Sequence, residues 1–115
     1  MRLNGVTYSE GQPVEGYGPG FFRIGGQVWT GPVLTSAVGT QSWGGLDDAA
    51  PLEALDVDVL FVGMGADIAH LPETLRTQLE TAGLGVEVMS SPAAARTYNV
   101  LLGEGRRVAL ALLPV

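Results

Sequence analysis

Apolar positions change their spacing near the middle of this 115-residue chain. Before Pro51 the apolar groups are short and separated by glycines. Val6-Thr7-Tyr8 predicts a strand. Phe21–Ile24 and Gln27–Thr30 flank Gly25-Gly26, a two-residue connection suited to a tight hairpin. Val33–Thr35 and Ala37–Gln41 predict further strands after the break at Gly31-Pro32. Gly44-Gly45 ends this β-rich part, and Tyr17-Gly18-Pro19-Gly20 reads as a turn.

After Pro51 the pattern alternates. The acidic segment 46–58 holds a short helix around Leu52–Leu55. Val59–Val62 is almost wholly apolar, as expected of a strand covered on both faces. Gly63-Met64-Gly65-Ala66 follows as a loop. Pro72 suits the first turn of a helix that carries Leu75, Leu79 and Ala82 on one stripe and stops at Gly83. Gly85–Met89 is the next strand. Ser91 reads as an N-cap, with Pro92 opening a helix to Gly103. Ala94, Ala95, Tyr98, Leu101 and Leu102 fall on its buried side. Gly105 turns the chain into a last strand, Arg107–Leu113. The second half is therefore β-α-β-α-β, and right-handed crossovers make its three strands parallel. The expected fold is α/β: a mixed central sheet with helices against it, extended or capped by the N-terminal β-hairpin. The chain is read as one domain, residues 1–115.

Composition narrows the function. The formal net charge is −6, with no lysine and six arginines. Phosphate neutralisation needs clustered cations, so nucleic-acid binding is not expected. There is no cysteine, which removes disulfides, thiol nucleophiles and Cys-ligated zinc. The first residues lack the apolar stretch of a signal peptide, and the longest apolar run, 108–115, is too short for a membrane span. A cytoplasmic chain without membrane insertion is expected, and no cofactor is implied.

Candidate chemistry gathers at one edge. In open α/β sheets, loops at the carboxyl ends of parallel strands bind ligands. Here those ends are Gly63-Met64-Gly65 and Met89-Ser90-Ser91. Glycines at 63 and 65 allow close backbone approach. The helix beginning at Pro92 points free N–H groups into the same area, with Arg96 one turn inside. A small anionic ligand suits such a place. Asn99 is costly inside a helix and asks for a partner. It either pins a neighbouring loop or, with Tyr98, lines a pocket. The expected ligand-binding set is Gly63, Gly65, Ser90, Ser91, Arg96, Tyr98 and Asn99. No catalytic set stands out: Ser90 and Ser91 have no general base in reach, and His70 reads as a solvated loop residue. Glu104, Arg106 and Arg107 read as surface ion pairs around the Gly105 turn, and Asp56 and Asp58 as solvated or capping acids. Of Phe21 and Phe22, strand alternation sends one outward, where it would mark a partner surface. A homodimer through that hairpin or a sheet edge is compatible with the pattern.

Several blocks together resemble the Mth938-domain family, also called DUF498. They are Tyr17-Gly18-x-Gly20-Phe21-x-Arg23-x-Gly25, Trp29, the Gly63-x-Gly65 loop, and Thr97-Tyr98-Asn99-Val100-Leu101-Leu102-x-Glu104-Gly105-Arg106-Arg107-Val108-Ala109. The family includes relatives of the mitochondrial complex I assembly factor 3 group. The resemblance implies a three-layer mixed-sheet fold and a pocket bordered by Gly63, Gly65, Arg96, Tyr98 and Asn99. It also implies an assembly or other protein-binding role rather than catalysis. Relatives carry Met-Asp-Thr before the last helix and a cysteine after its two alanines; here stand Met89-Ser90-Ser91 and Ala95. That departure weakens an enzymatic reading further. Two readings stay open: a non-catalytic binding or assembly protein, and an enzyme or anion sensor using the pocket between the Gly63–Gly65 loop and the Pro92 helix.

Overall fold

A computed structural model describes residues 12–115, together with the backbone of two short strands, β1 (Arg2–Leu3) and β2 (Val6–Thr7), which pair antiparallel. Tyr8, expected in the second of these, lies outside the described residues. Next come β3 (Val14–Gly18), β4 (Phe21–Ile24), β5 (Gln27–Thr30), β6 (Val33–Ser36), β7 (Gly39–Ser42) and α1 (Ala50–Glu53). The second half supplies β8 (Val59–Gly63), α2 (Glu73–Thr81), β9 (Gly85–Met89), α3 (Ser91–Gly103) and β10 (Val108–Leu112).

The central sheet runs β7-β6-β10-β8-β9. β8, β9 and β10 are parallel, while β6 joins β10 antiparallel and β7 joins β6 antiparallel. The crossovers β8-α2-β9 and β9-α3-β10 therefore lie on opposite faces and make three layers. Alternate residues of each central strand serve the two sides. Leu60, Val62, Ala109 and Ala111 face α1 and α2, where Leu52, Leu75 and Leu79 complete a core. Phe61, Val108, Leu110 and Leu112 face the other way, against Ala94, Ala95 and Tyr98 of α3 and Phe22 and Ile24 of β4. This explains why β8 and β10 read as unbroken apolar runs.

A separate three-stranded antiparallel sheet, β3-β4-β5, shares that second face. Gly25 and Gly26 both hold positive φ in the β4–β5 turn, as a two-residue hairpin requires. Phe22 points inward and is fully buried. Phe21 points outward, but its ring lies over Gly18, where a Cβ would come within 2.5 Å of it. The outward aromatic thus covers a glycine on the neighbouring strand.

Four local expectations change. Tyr17 and Gly18, expected in a turn, end the strand β3, whose glycines hide the alternation. The break between β6 and β7 falls at Ala37–Val38, later than the break at Ser36 that the Val33–Thr35 and Ala37–Gln41 reading implies, so β7 starts at Gly39 rather than Ala37. Pro72 caps α2 from outside, and Ala82 is its exposed C-cap rather than part of the buried stripe. Arg107 does not pair within its own turn: it reaches Asp56 at 2.7 Å and Asp58 at 3.8 Å, and both acids are exposed, as expected.

Candidate functional site

The carboxyl ends of β8 and β9 and the start of α3 converge, as parallel strands require. They converge tightly. A Cβ on Gly63 would stand 2.7 Å from Ser91 Cα and from Leu112 Cδ2, so only glycine fits. Gly65 holds φ +100° and lies beside the Pro114 carbonyl. The helix cap is Ser90, not Ser91: the Ser90 hydroxyl accepts from the Ala93 amide at 3.4 Å. Ser91 is inside the helix and fully buried. Its hydroxyl accepts from Gly65 N at 2.9 Å and donates to Leu113 O at 2.6 Å. Its amide donates to Gly65 O at 2.7 Å. Leu113 N donates to Gly63 O, and Gly20 N to Val115 O. One serine thus ties three chain segments together, and the segment Leu113–Val115 lies along the crevice between the Gly63–Gly65 loop and α3. An anion at the helix start would have to replace Gly65 O on the Ser91 amide.

Further along α3 the predicted residues diverge. Asn99 faces β3. Its Oδ1 accepts from Val14 N and its Nδ2 donates to Val14 O, each at 2.9 Å. The side-chain amide imitates one residue of a neighbouring strand at the edge of β3, which repays its poor helix propensity. Tyr98 is fully buried between α3 and the central sheet. Its hydroxyl donates to Gln12 O at 3.5 Å. Burial pushes the phenol up to about 12, with the nearby Thr35 hydroxyl pulling weakly the other way. Arg96 is exposed, as is Val100 one turn later on the same side. Gly63, Gly65, Ser90 and Ser91 are therefore together, whereas Arg96 and Asn99 leave α3 in different directions.

Two further features escaped the sequence pattern. Thr35 on β6 is fully buried, and its hydroxyl lies 2.7 Å from that of Thr40 on β7. The available signal is a pair of polar residues, Thr35 and Ser36, completing a strand that begins Val33-Leu34. A groove of about 430 Å³ beside the free edge of β9 is lined by Ile68, His70, Leu71, Glu73, Arg76 and Val88. Arg76 is held there by Glu80 at 3.3 Å and by the Val86 carbonyl at 3.4 Å. His70 is exposed, and no three metal-binding side chains cluster among the described residues. Nor, among them, is any helix long and apolar enough to cross a membrane.

This three-layer arrangement, a mixed sheet with α3 and a small sheet on one face, is that of Mth938-like proteins. The chain belongs to the family described as "protein of unknown function (DUF498/DUF598)", which matches residues 14–113. An uncharacterized protein of Rhodobacter capsulatus is 57% identical over 105 residues, covering 90% of this chain and 85% of that one. The NADH dehydrogenase [ubiquinone] 1 alpha subcomplex assembly factor 3 of Danio rerio is 31% identical over 115 residues, covering 92% of this chain and 66% of its own length. Among solved structures, a Bartonella henselae protein described as an outer membrane protein superposes with a TM-score of 0.81 at 33% identity, covering 95% of this chain and 99% of that one. An NMR structure of a Mth938-like domain from Bordetella pertussis gives 0.78 at 29% identity, covering 99% and 92%.

Proposed function

We propose that this protein is a non-catalytic binding protein that assists assembly of a larger complex, and that it acts in the cytoplasm through the exposed side of α3. The observation that carries the proposal is how the polar groups of the candidate region are used. Ser90, Ser91 and Asn99 are engaged in internal hydrogen bonds. Arg96 and Val100 instead stand together on the surface, a cation beside an apolar side chain, four residues apart on a helix. Such a pair suits a protein partner with an acidic and apolar surface. The zebrafish relative, named as an assembly factor of an NADH dehydrogenase subcomplex, supports the same reading. In this proposal Gly63, Gly65, Ser90, Ser91, Tyr98 and Asn99 hold α3 in place, and Arg96 makes the contact.

The test is genetic and biochemical. A strain lacking the protein should accumulate less assembled NADH dehydrogenase on native gels. The wild-type gene should restore it, and Arg96→Glu should not, although the variant is as soluble and as stable. An unchanged amount of assembled complex in the deletion strain would sink the proposal. Size-exclusion chromatography of the same purified proteins reports whether self-association accompanies the role.

A further inference from the structure

β9 ends the central sheet, so one of its sides has no neighbouring strand. The direction of its backbone groups follows from its other side. Gly85 N donates to Asp58 O, and Met89 O accepts from Met64 N, both toward β8. Successive residues of a strand turn their N–H and C=O groups to opposite sides, so Val86 and Val88 turn theirs to the open edge. Arg76 Nη1 donates to Val86 O at 3.4 Å. Among the described residues, nothing meets the N–H and C=O of Val88. An unpaired edge of this kind is a template for a further strand.

The surroundings of that edge are selective. Side chains alternate along β9. Val86 and Val88 face α2 and the core around Leu60 and Val62. Glu87, level with Phe61, stands exposed on the other face. Next to Val88 lies the groove of about 430 Å³, bordered by the 68–71 loop and α2. Ile68, which lines it, is 69% exposed. A guarded edge carries charge or proline beside its open groups. Here Arg76 guards only Val86 O, and an isoleucine stands by the groove. Self-pairing of two copies is disfavoured in each antiparallel register. Matching Val86 with Val88 sets the two Glu87 carboxylates directly opposite each other. Centring on Val88 matches Val86 with Ser90, whose carbonyl already accepts from Ala94 N. Centring on Val86 matches Val88 with Leu84, whose N–H already goes to Leu79 O. The other edge strands of the central and three-stranded sheets, β3, β5 and β7, carry no basic residue to set against Glu87.

We propose that the open edge of β9 receives an extended segment of a partner protein as an added antiparallel strand, with a basic residue opposite Glu87 and an apolar residue on each side of it turned toward the 68–71 groove. Antiparallel addition gives the stronger ladder. The backbone of the segment bonds to Val86 and Val88, which attaches it without regard to sequence, while Glu87 and the groove select the sequence. A segment with an acid in the central place meets the same repulsion that disfavours a second copy. This edge uses neither Arg96 nor Val100, so it and the assembly proposal can fail separately.

The experiment is an NMR titration of the ¹⁵N-labelled protein with capped synthetic pentapeptides. Thr-Ile-Arg-Ile-Thr should move the Val86 and Val88 amide crosspeaks saturably, with a dissociation constant on the order of 0.1–1 mM for so short a strand. It should also slow hydrogen exchange at Val88, which in the free protein should be faster than at Glu87. Thr-Ile-Glu-Ile-Thr should bind about threefold more weakly or worse, the scale of one cross-strand charge pair. Glu87→Arg, a change at an exposed position, should keep the melting temperature and invert the order of the two peptides. The arginine peptide N-methylated at both isoleucines cannot donate to the edge and should not bind. The proposal is overturned if no peptide moves the Val86 and Val88 crosspeaks, or if the acidic or N-methylated peptide binds as tightly as the first. It is equally overturned if Glu87→Arg leaves the order unchanged, or if Val88 becomes protected in the free protein as its concentration rises, which would give the edge to a second copy.

Discussion

The two faces of the central sheet use the same strands and are covered in different ways. On one face, α1 and α2 lay leucines over Leu60, Val62, Ala109 and Ala111. On the other, α3 shares the space with a small sheet. Two elements of different shape meet there, and their seams expose backbone groups that no ladder satisfies. Side chains fill that need: Ser91 at the strand ends, Asn99 at the β3 edge, and Tyr98, reaching the Gln12 carbonyl, in the centre. A uniform cover needs only volume. A mixed cover also needs hydrogen bonds in set directions, so its failures should differ in kind.

The sharpest contrast comes from a cavity on the first face. Leu79 is fully buried, and Leu79→Ala should destabilise the protein by about 2–5 kcal/mol in urea unfolding. The loss should not vary with pH. A much smaller loss would mean that the helical face is loosely packed and that the comparison is misdrawn.

The second face should instead be sensitive to alkali. Tyr98 has its phenol raised to about 12, above its unfolded value near 10. The unfolded chain then releases that proton first, and unfolding is favoured as pH rises. Its stabilisation should be whole below pH ~10 and lost progressively up to pH ~12, by about 3 kcal/mol at most. Tyr98→Phe should flatten the decline over that window. If the variant declines as steeply as the wild type, the alkaline loss belongs to other groups.

A smaller effect isolates the hydrogen bonds. Ser91→Ala removes one oxygen and leaves the buried Gly65 amide and the part-buried Leu113 carbonyl without their partner. The expected cost is about 1–3 kcal/mol, with faster hydrogen exchange at Gly65. Exchange unchanged at Gly65 would show that this tie is dispensable. The least effect lies outside both faces. Arg107 and Asp56 pair at 2.7 Å on the surface, with the Asp56 side chain 98% exposed. Arg107→Ala should cost less than about 1 kcal/mol, and less still at high salt.

The legible parts of the fold were those where local pattern and tertiary role coincide. β8 and β10 show as apolar runs because both faces of the sheet are covered, and α3 shows through its Ser-Pro start and its buried stripe. β3 did not show, because Gly16 and Gly18 interrupt its alternation and Asn99, 85 residues away, completes its edge. Ser90 and Ser91 are chemically equal on paper. Which one caps the helix is settled by the place of Gly65 and Leu113: Ser90 caps it, one residue before the position the pattern favours. Asp56 is solvated as expected, but its pairing with Arg107, 51 residues on, leaves no local trace.

By itself, then, the order of residues determined the succession of strands and helices apart from β3, the parallel second half, the family, and the small set of glycines and polar residues at one edge. Tertiary structure alone decided what those residues touch. Gly63, Ser91 and Leu113 meet because three strands end side by side, and their contacts depend on distances of a few tenths of an ångström between segments distant in sequence. Periodicity reports which face a residue takes. It carries no record of which partner waits there, and hydrogen bonds are decided by that partner.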